Sequence, residues 1–185
     1  MPTDERQLLL DERAFARTLH RMALDILRQN PDPDRLVLIG IQRRGVELAA
    51  RIATLLAQET GAQVPRGALD ITLYRDDFEV IGPRPLVGPT HLPVKLEGRE
   101  AWIVDDVLYS GRTVRAALDE LADFGRPGRI GLAVLVDRGG RELPIQADVV
   151  GERVPTAGGD RVEVFVRELD GRDAVEVVRA GRAAP

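Results

Sequence analysis

Two neighbouring carboxylates, Asp105 and Asp106, directly follow a short apolar run at 101–104, AWIV. The run is typical of a strand buried on both faces of a parallel sheet. Ionised carboxylates accept hydrogen bonds from the vicinal hydroxyls of a sugar, and each such bond contributes about 1.5–3 kcal/mol. Because side chains of a continuing strand alternate between faces, we expect the strand to stop here, so that both acids reach one ligand. The pair predicts a ribose site, and acids that only cap a turn are the alternative.

A turn from Val107 to Arg112, with a glycine at Gly111, follows the acids and leads into a helix near Thr113. Apolar residues then recur at helical spacing, at Val114, Ala117, Leu118 and Leu121. A helix that begins just after a glycine turn presents unpaired amides and the positive end of its dipole, which suits a phosphate group. Together with the acids, the turn predicts a ribose 5-phosphate site.

The elements around this unit alternate between strand and helix. Asp11 is expected to cap a first helix that ends near Asn30, and Gly61 to end a second helix. Further strands are expected at 36–39, 68–74 and 129–136, and a terminal hairpin at 162–166 and 174–178. The pattern predicts one α/β domain with a mainly parallel, twisted sheet flanked by helices.

The segment 104–113, VDDVLYSGRT, resembles the phosphoribosyl pyrophosphate (PRPP) signature of type I phosphoribosyltransferases. Within that family the chain is most similar to the bifunctional regulators of pyrimidine operons that are also uracil phosphoribosyltransferases. The resemblance continues through 41–45 (IQRRG), 69–77 (LDITLYRDD), 135–139 (LVDRG) and 141–145 (RELPI). It implies the type I phosphoribosyltransferase fold as a single domain, 1–185, with a flexible lid loop at about 75–91. A small hood is expected at about 138–162, with N-terminal contributions.

The resemblance also implies roles for single residues. The expected catalytic residues are Asp105, Asp106 and Arg75. Binding of PRPP or nucleotide is expected at Arg43, Arg44, Arg84, Asp105, Asp106, Val107, Leu108, Tyr109, Ser110, Gly111, Arg112 and Thr113. Uracil is expected at Arg138 and Val162, mainly through main-chain groups, and Tyr109 favours a pyrimidine because purine-specific relatives usually have an aspartate there. Relatives often have a small hydroxyl residue in place of Arg43 and histidine in place of Gly140.

Two loops are expected to meet the pyrophosphate of PRPP. Arg43 and Arg44 lie between a strand and a helix, on the carboxyl side of the sheet where open α/β folds bind ligands. Arg75 and Arg84 lie in a long stretch with several prolines and glycines, and such loops are commonly lids. In the family the equivalent loop folds over PRPP, so these arginines are expected to reach the pyrophosphate on closure. A plain surface hairpin is the alternative.

Composition excludes several kinds of site. The 185 residues contain no cysteine, so thiol nucleophiles, disulfides and cysteine-zinc sites are excluded. Lys95 is the only lysine and does not stand in a Gly-Lys-Ser/Thr context, and the two histidines are too few for a multi-histidine metal cage. No direct metal ligand is expected, and Mg²⁺ is expected to bind together with PRPP. With neither a signal peptide nor an apolar run that could span a bilayer, the sequence favours a cytoplasmic protein without membrane contact.

The resemblance implies two activities and several partners. The enzyme converts uracil and PRPP to UMP and diphosphate, and the regulator binds pyrimidine operon leader mRNA in response to UMP or UTP. Arg13, Arg17, Arg21, Arg141 and Arg153 are the candidate RNA contacts, although the net charge of −4 argues against general nucleic-acid binding. An exposed helix face is the plainer interpretation of the first three. A homodimer or higher homo-oligomer is expected. The alternatives are a purine or orotate phosphoribosyltransferase without RNA regulation, and a PRPP-binding domain without catalysis.

Overall fold

The computed structural model describes residues 5–71 and 89–180 of the chain. The strands are β1 (Glu5–Leu10), β2 (Leu36–Ile41), β3 (Arg66–Leu69), β4 (Glu100–Leu108), β5 (Arg129–Asp137), β6 (Val149–Arg153), β7 (Arg161–Phe165) and β8 (Ala174–Arg179). Five of them form a parallel sheet in the order β3-β2-β4-β5-β6, and the other three form an antiparallel sheet in the order β1-β8-β7. The expected α/β class with a parallel central sheet is confirmed.

The helices are α1 (Glu12–Gln29), α2 (Arg44–Thr60), α3 (Arg112–Phe124) and the short α4 (Arg167–Asp170). On one face of the central sheet, Leu38 and Trp102 share a core with α1, α2 and the antiparallel sheet. On the other face, the neighbouring residues Val37 and Ile103 share a second core with α3. The alternation of side chains along β2 and β4 therefore places a helical layer on both sides of the sheet.

The ends of the helices agree well with the sequence. The side chain of Asp11 accepts a hydrogen bond from the Ala14 amide at 2.8 Å, which confirms the predicted cap of α1. Gly61 ends α2 with a φ of 75°, a left-handed conformation that favours glycine. Helix α2 begins at Arg44, two residues before the expected start near Val46.

Several expected strands differ from the observed ones. β4 was expected to end at Val104 but continues to Leu108. β3 ends at Leu69. The expected terminal hairpin is confirmed by the antiparallel pairing of β7 with β8, and its connection contains α4. The sequence did not indicate β1 or β6. Residues 72–88, with Arg75, Arg84 and most of the expected lid, lie outside the described residues.

None of the helices within residues 5–71 and 89–180 combines the length and apolar character that crossing a membrane would require.

Candidate active site

A polar cavity of about 180 Å³ lies at the carboxyl ends of β2 and β4, where open parallel sheets bind ligands. Both strands contribute, together with the start of α2 and the first turn of α3. The lining residues are Ile41, Gln42, Arg43, Arg44, Ile71, Asp105, Asp106, Val107 and Thr113. The structure thus brings the two acids, both arginines of the 41–45 loop and part of the predicted phosphate turn around one cavity.

The expectation that β4 stops at the acids is wrong, but both acids still line the cavity. Pairing of β4 with β2 ends at Val104, whereas pairing with β5 continues to Leu108. The cavity lies beyond the end of the β2 ladder, so the strand need not stop for both carboxylates to reach it. Asp105 is 6% exposed and Asp106 is half-buried. Each Oδ1 accepts a hydrogen bond from the next amide, at 2.9 Å from Asp106 and 2.8 Å from Val107.

The turn between β4 and α3 has the geometry of an anion site. Gly111 precedes α3 with a φ of 92°, which side chains other than hydrogen rarely allow. Ser110 Oγ accepts a hydrogen bond from the Arg112 amide at 3.3 Å. Within the described ranges, no backbone carbonyl accepts a hydrogen bond from the amides of Ser110, Gly111 or Thr113. The predicted turn therefore keeps donors at the start of a 13-residue helix.

Three carbonyl groups of the same turn accept hydrogen bonds from the loop that follows β5. Leu108 O accepts from the Arg138 amide at 3.1 Å, and Ser110 O accepts from the amides of Glu142 and Leu143 at 3.0 and 3.1 Å. Tyr109 O accepts from Arg141 Nη1 at 2.9 Å. Since C=O and N–H of one trans peptide unit point in opposite directions, the following amides face away from this loop.

Glycines set the position of the second anion loop, 41–45. A Cβ on Gly45 would lie 2.4 Å from Val104 O, and one on Gly40 would lie 2.4 Å from Gly45 O. Only glycine at both positions allows the first turn of α2 to pack directly on the ends of β2 and β4. This packing fixes Arg43 and Arg44 next to Asp105. The sequence contained the signal, a glycine on each side of the loop, but its role as a packing contact was not recognised.

The two arginines of this loop differ in their contacts. The exposed side chain of Arg43 makes no hydrogen bond or ion pair with any residue in the described ranges, although its charge helps to lower the pKa of Asp170. Arg44 is half-buried and binds Asp170 through two nitrogens, Nη2 to Oδ1 at 2.9 Å and Nε to Oδ2 at 3.3 Å. Burial raises the pKa of Asp170, but the Val166 amide and the Arg44 guanidinium outweigh it and hold the pKa below its ordinary value.

The predicted uracil residues lie in different surroundings. The Arg138 guanidinium stacks over the Tyr109 ring, 4.0 Å from its centroid, and donates to Thr156 Oγ1 at 3.0 Å and to Asp160 O at 2.7 Å. Val162 lies on β7, half-buried, and packs against the core shared with α1 and α2. Thr156 and Asp160 connect Arg138 to the segment before β7, and no sequence pattern indicated either residue.

Gly140 contacts the same aromatic ring. Its φ is 78°, and a Cβ there would lie 2.4 Å from Tyr109 Cε2. The Tyr109 ring, which is 47% exposed, therefore occupies the space that a side chain at this position would need.

The candidate RNA arginines separate into two groups. Arg141 binds Asp137 at 2.6 Å, Ile145 O at 2.8 Å and Tyr109 O, and Arg21 donates to carbonyl oxygens of β6. Both thus make internal contacts that were not expected. The side chains of Arg13, Arg17 and Arg153 are exposed and make no hydrogen bond or ion pair with a described residue, although the charge of Arg153 helps to lower the pKa of Asp137.

Helix α1 runs antiparallel to β6, the edge strand of the central sheet. Gln29 contacts Asp148 O, whereas Arg21 contacts Val150 O at the other end. Arg17 lies one helical turn before Arg21. The same antiparallel alignment of α1 with β6 therefore places Arg17 near the end of β6, where Arg153 lies. Arg17 and Arg153 therefore belong to one exposed end of the α1–β6 edge.

Comparison with known proteins gives consistent matches. The family model of the phosphoribosyl transferase domain matches residues 6–165. The bifunctional protein PyrR of Thermus aquaticus is 54% identical over 169 residues, covering 91% of this chain and 93% of the relative. That of Chloroflexus aurantiacus is 52% identical, covering 95% and 96%. In fold, the chain is similar to a hypoxanthine phosphoribosyltransferase of Trypanosoma cruzi, with a TM-score of 0.72 at 21% identity, covering 95% of this chain and 96% of the other.

Proposed function

The chain belongs to the phosphoribosyl transferase domain family and, within it, to the bifunctional PyrR proteins, and from this we propose that it transfers ribose 5-phosphate from PRPP to uracil, giving UMP and diphosphate. One observation carries the proposal for the site. Two acids, a phosphate-type turn and an arginine loop meet at a single polar cavity. These are the groups that a phosphorylated ribose with a pyrophosphate leaving group requires.

Each part of the cavity has a role in this reaction. Displacement at the anomeric carbon builds positive charge on the ribose and negative charge on the departing pyrophosphate. Asp105 and Asp106 bind the ribose hydroxyls, and their negative charge stabilises the positive ribose. The amides of the turn before α3 hold the 5-phosphate. Arg43, exposed at the cavity, interacts with the pyrophosphate, so that catalysis rests mainly on positioning and leaving-group electrostatics.

Phosphoribosyltransferases use Mg²⁺ with PRPP, and the site is compatible with an ion that enters with its substrate. Within residues 5–71 and 89–180 there is no group of three or more His, Asp or Glu side chains that could hold a metal ion. The carboxylate oxygens of Asp105 and Asp106 are hard donors of the kind that Mg²⁺ accepts. Bound with PRPP, such an ion would offset negative charge on the pyrophosphate.

Uracil is the proposed acceptor because Tyr109 stands where purine-specific relatives usually have an aspartate. The Tyr109 ring and Arg138 form a stacked pair at the carboxyl end of β4, beside the turn that holds the phosphate. Uracil presents alternating carbonyls and an N–H, which backbone groups of the loop after β5 can match. A phosphoribosyltransferase for a purine or for orotate is the alternative.

A base panel tests the acceptor. The purified protein is incubated with PRPP, Mg²⁺ and either uracil, hypoxanthine, guanine, adenine, xanthine or orotate, and nucleotide formation is followed. Uracil alone is expected to react. Nucleotide from a purine but not from uracil would refute the assignment.

Asp106→Asn tests the ribose role. The change is isosteric and leaves the fold unchanged, but removes a charge-assisted acceptor, so the KM for PRPP should rise about 10- to 100-fold, which corresponds to about 1.5–3 kcal/mol. A melting temperature equal to that of the wild type serves as the control. An unchanged KM would place the ribose elsewhere.

We also propose that the protein regulates pyrimidine biosynthesis by binding leader mRNA when UMP or UTP is bound. The exposed Arg13, Arg17 and Arg153 support this role, because guanidinium groups that make no hydrogen bond or ion pair are available to phosphates. Arg21 and Arg141, which have internal partners, are expected to act on RNA indirectly.

A gel-shift titration tests this second role. The protein should bind pyrimidine leader RNA more tightly than scrambled RNA, and UMP should strengthen the binding. Arg17→Gln should weaken it, whereas Arg28→Gln, at the exposed other end of α1, should not. Equal binding of both RNAs, with and without UMP, would refute regulation.

The proposed assembly is a homo-oligomer. An apolar groove of about 270 Å³ between α1 and α2, lined in part by Ala16, Leu19 and Leu55, is a described surface that suits a second copy. Light scattering after size exclusion would measure the mass, and a monomer at all concentrations would refute it. A cytoplasmic location stays a prediction.

A further inference from the structure

Helix α2 presents two arginines on the same face to an acidic turn of the antiparallel sheet. Arg44 and Arg51 are seven residues apart, about two helical turns. The turn at 166–173 connects β7 to β8 and contains α4. Although 126 residues separate Arg44 from Asp170, the turn lies directly against the first half of α2.

The contact at Arg51, near the middle of α2, is a network of paired charges. Its guanidinium binds Glu168 at 2.6 and 2.9 Å and Asp173 at 2.9 Å through two further hydrogen bonds. Asp173 also accepts from the Arg167 amide at 2.8 Å. Arg51 is 22% exposed and Asp173 10%, so water screens this pair only in part. The acidic turn is therefore fixed to α2 independently of Arg44.

The contact between Arg44 and Asp170 lies at the start of α2, next to the cavity. Asp170 Oδ2 accepts a hydrogen bond from the Val166 amide at 2.8 Å. This bond holds the carboxylate in place independently of Arg44. The two-nitrogen contact determines both the position and the orientation of the guanidinium. Arg44 thus lines the cavity with a charge that is already neutralised, whereas the side chain of Arg43 next to it makes no hydrogen bond or ion pair with a described residue and acts on Asp170 only through its charge.

From this difference we propose that Asp170 is a positioning residue of the pyrophosphate loop. Asp170 holds Arg44, and with it the first turn of α2, in the geometry that binds the leaving group, while Arg43 supplies the unpaired charge. The proposal rests on the proposed phosphoribosyl transfer. It assigns a role in PRPP binding to the connection between β7 and β8, which does not itself line the cavity.

Asp170→Asn distinguishes positioning from a simple effect of charge, because the two explanations predict opposite changes in the affinity for pyrophosphate. Removing a negative charge near an anion site should by itself strengthen pyrophosphate binding. Loss of the anchor should weaken it, because Arg44 then loses its fixed orientation. Asparagine keeps the size and can still accept from the Val166 amide, so the turn should stay folded.

The experiment measures binding of magnesium pyrophosphate by calorimetry and the KM for PRPP and uracil. We expect Asp170→Asn to weaken pyrophosphate binding and to raise the KM for PRPP about tenfold, since a misplacement of about 1 Å can cost ~100-fold. The KM for uracil should stay unchanged. Arg44→Lys, which keeps the charge but not the two-nitrogen contact, should have the same effect, and the double variant should be no worse than either single one.

The matched control is Glu59→Gln, which also removes one negative charge from the surroundings of α2, but at its far end, where Glu59 pairs with exposed His20. It should bind pyrophosphate as the wild type does. Equal or tighter binding by Asp170→Asn, or a rise in the KM for uracil as large as that for PRPP, would overturn the proposal. If Asp170→Asn does not fold, an unchanged KM for PRPP in Arg44→Lys overturns it. If the wild type transfers to no base, the proposed function fails, while the calorimetry still tests Asp170.

Discussion

Gly45→Ala should damage both the stability and the activity of this protein. The new Cβ would lie 2.4 Å from Val104 O, and real Cβ atoms do not approach closer than about 3.0 Å. The first turn of α2 therefore has to move away from β4 by at least about 0.6 Å. Such overpacking costs about 1–3 kcal/mol, of which the better helix propensity of alanine returns up to about 1 kcal/mol.

The same movement separates Arg43 from Asp105 across the cavity. A net loss of about 1–2 kcal/mol corresponds to a melting temperature lower by about 2–8 °C for a chain of this size. A misplacement of about 1 Å can cost ~100-fold in rate, so we expect kcat/KM for PRPP to fall at least about tenfold. The assays are thermal unfolding and steady-state kinetics with uracil.

Gly158→Ala is the matched control, because a Cβ on Gly158 meets no atom within 4 Å. This variant should keep the melting temperature and kinetics of the wild type. If Gly45→Ala does the same, the packing of α2 on β4 does not position the site, and the assignment of Arg43 to the pyrophosphate loses its basis.

Two further predictions concern the base side and a buried acid. Gly140→Ala, at a φ of 78° and with a Cβ 2.4 Å from the Tyr109 ring, should displace that ring from Arg138. Losing about 1 kcal/mol of stacking predicts a KM for uracil about fivefold higher in steady-state kinetics. An unchanged KM would refute the role of this stacked pair. Burial raises the pKa of Glu120, whose Oε1 accepts from the Thr90 hydroxyl. The stability that depends on neutral Glu120 is present below its unfolded pKa and is lost as the pH rises through its folded pKa, so Glu120→Gln should melt higher than the wild type at about pH 8 but not at about pH 4. Equal differences in melting temperature at both pH values would contradict the buried-acid argument.

The positions of the two acids and of the phosphate-type turn could be predicted because these features are local in sequence. The acids at 105 and 106, the glycine at 111 and the helix after it lie within one strand–turn–helix unit, and hydrophobic spacing indicates the strand and the helix. Only the strand end was wrong. The apolar run stops at Val104, but β5 continues to pair with β4 up to Leu108, and no local pattern records that partner.

The parts that the sequence did not indicate depend on contacts between distant segments. β1 is mostly exposed, and it is a strand because it pairs with β8, which is distant in sequence. The partner of Arg44 lies 126 residues away. Arginines at 21 and 141 suggested a basic surface, but whether a guanidinium meets solvent or a carbonyl depends on packing that spacing does not reveal.

The attachment of Leu108, Tyr109 and Ser110 to the loop after β5 has a consequence for ligand selection. Because this loop and the phosphate turn share one set of hydrogen bonds, the protein sets the distance between them before any ligand arrives. In the proposed reaction, that preset distance selects ligands in which the base and the 5-phosphate are separated as they are in UMP. A nucleoside lacks the phosphate and contacts only the loop after β5. It should therefore bind far more weakly than its monophosphate.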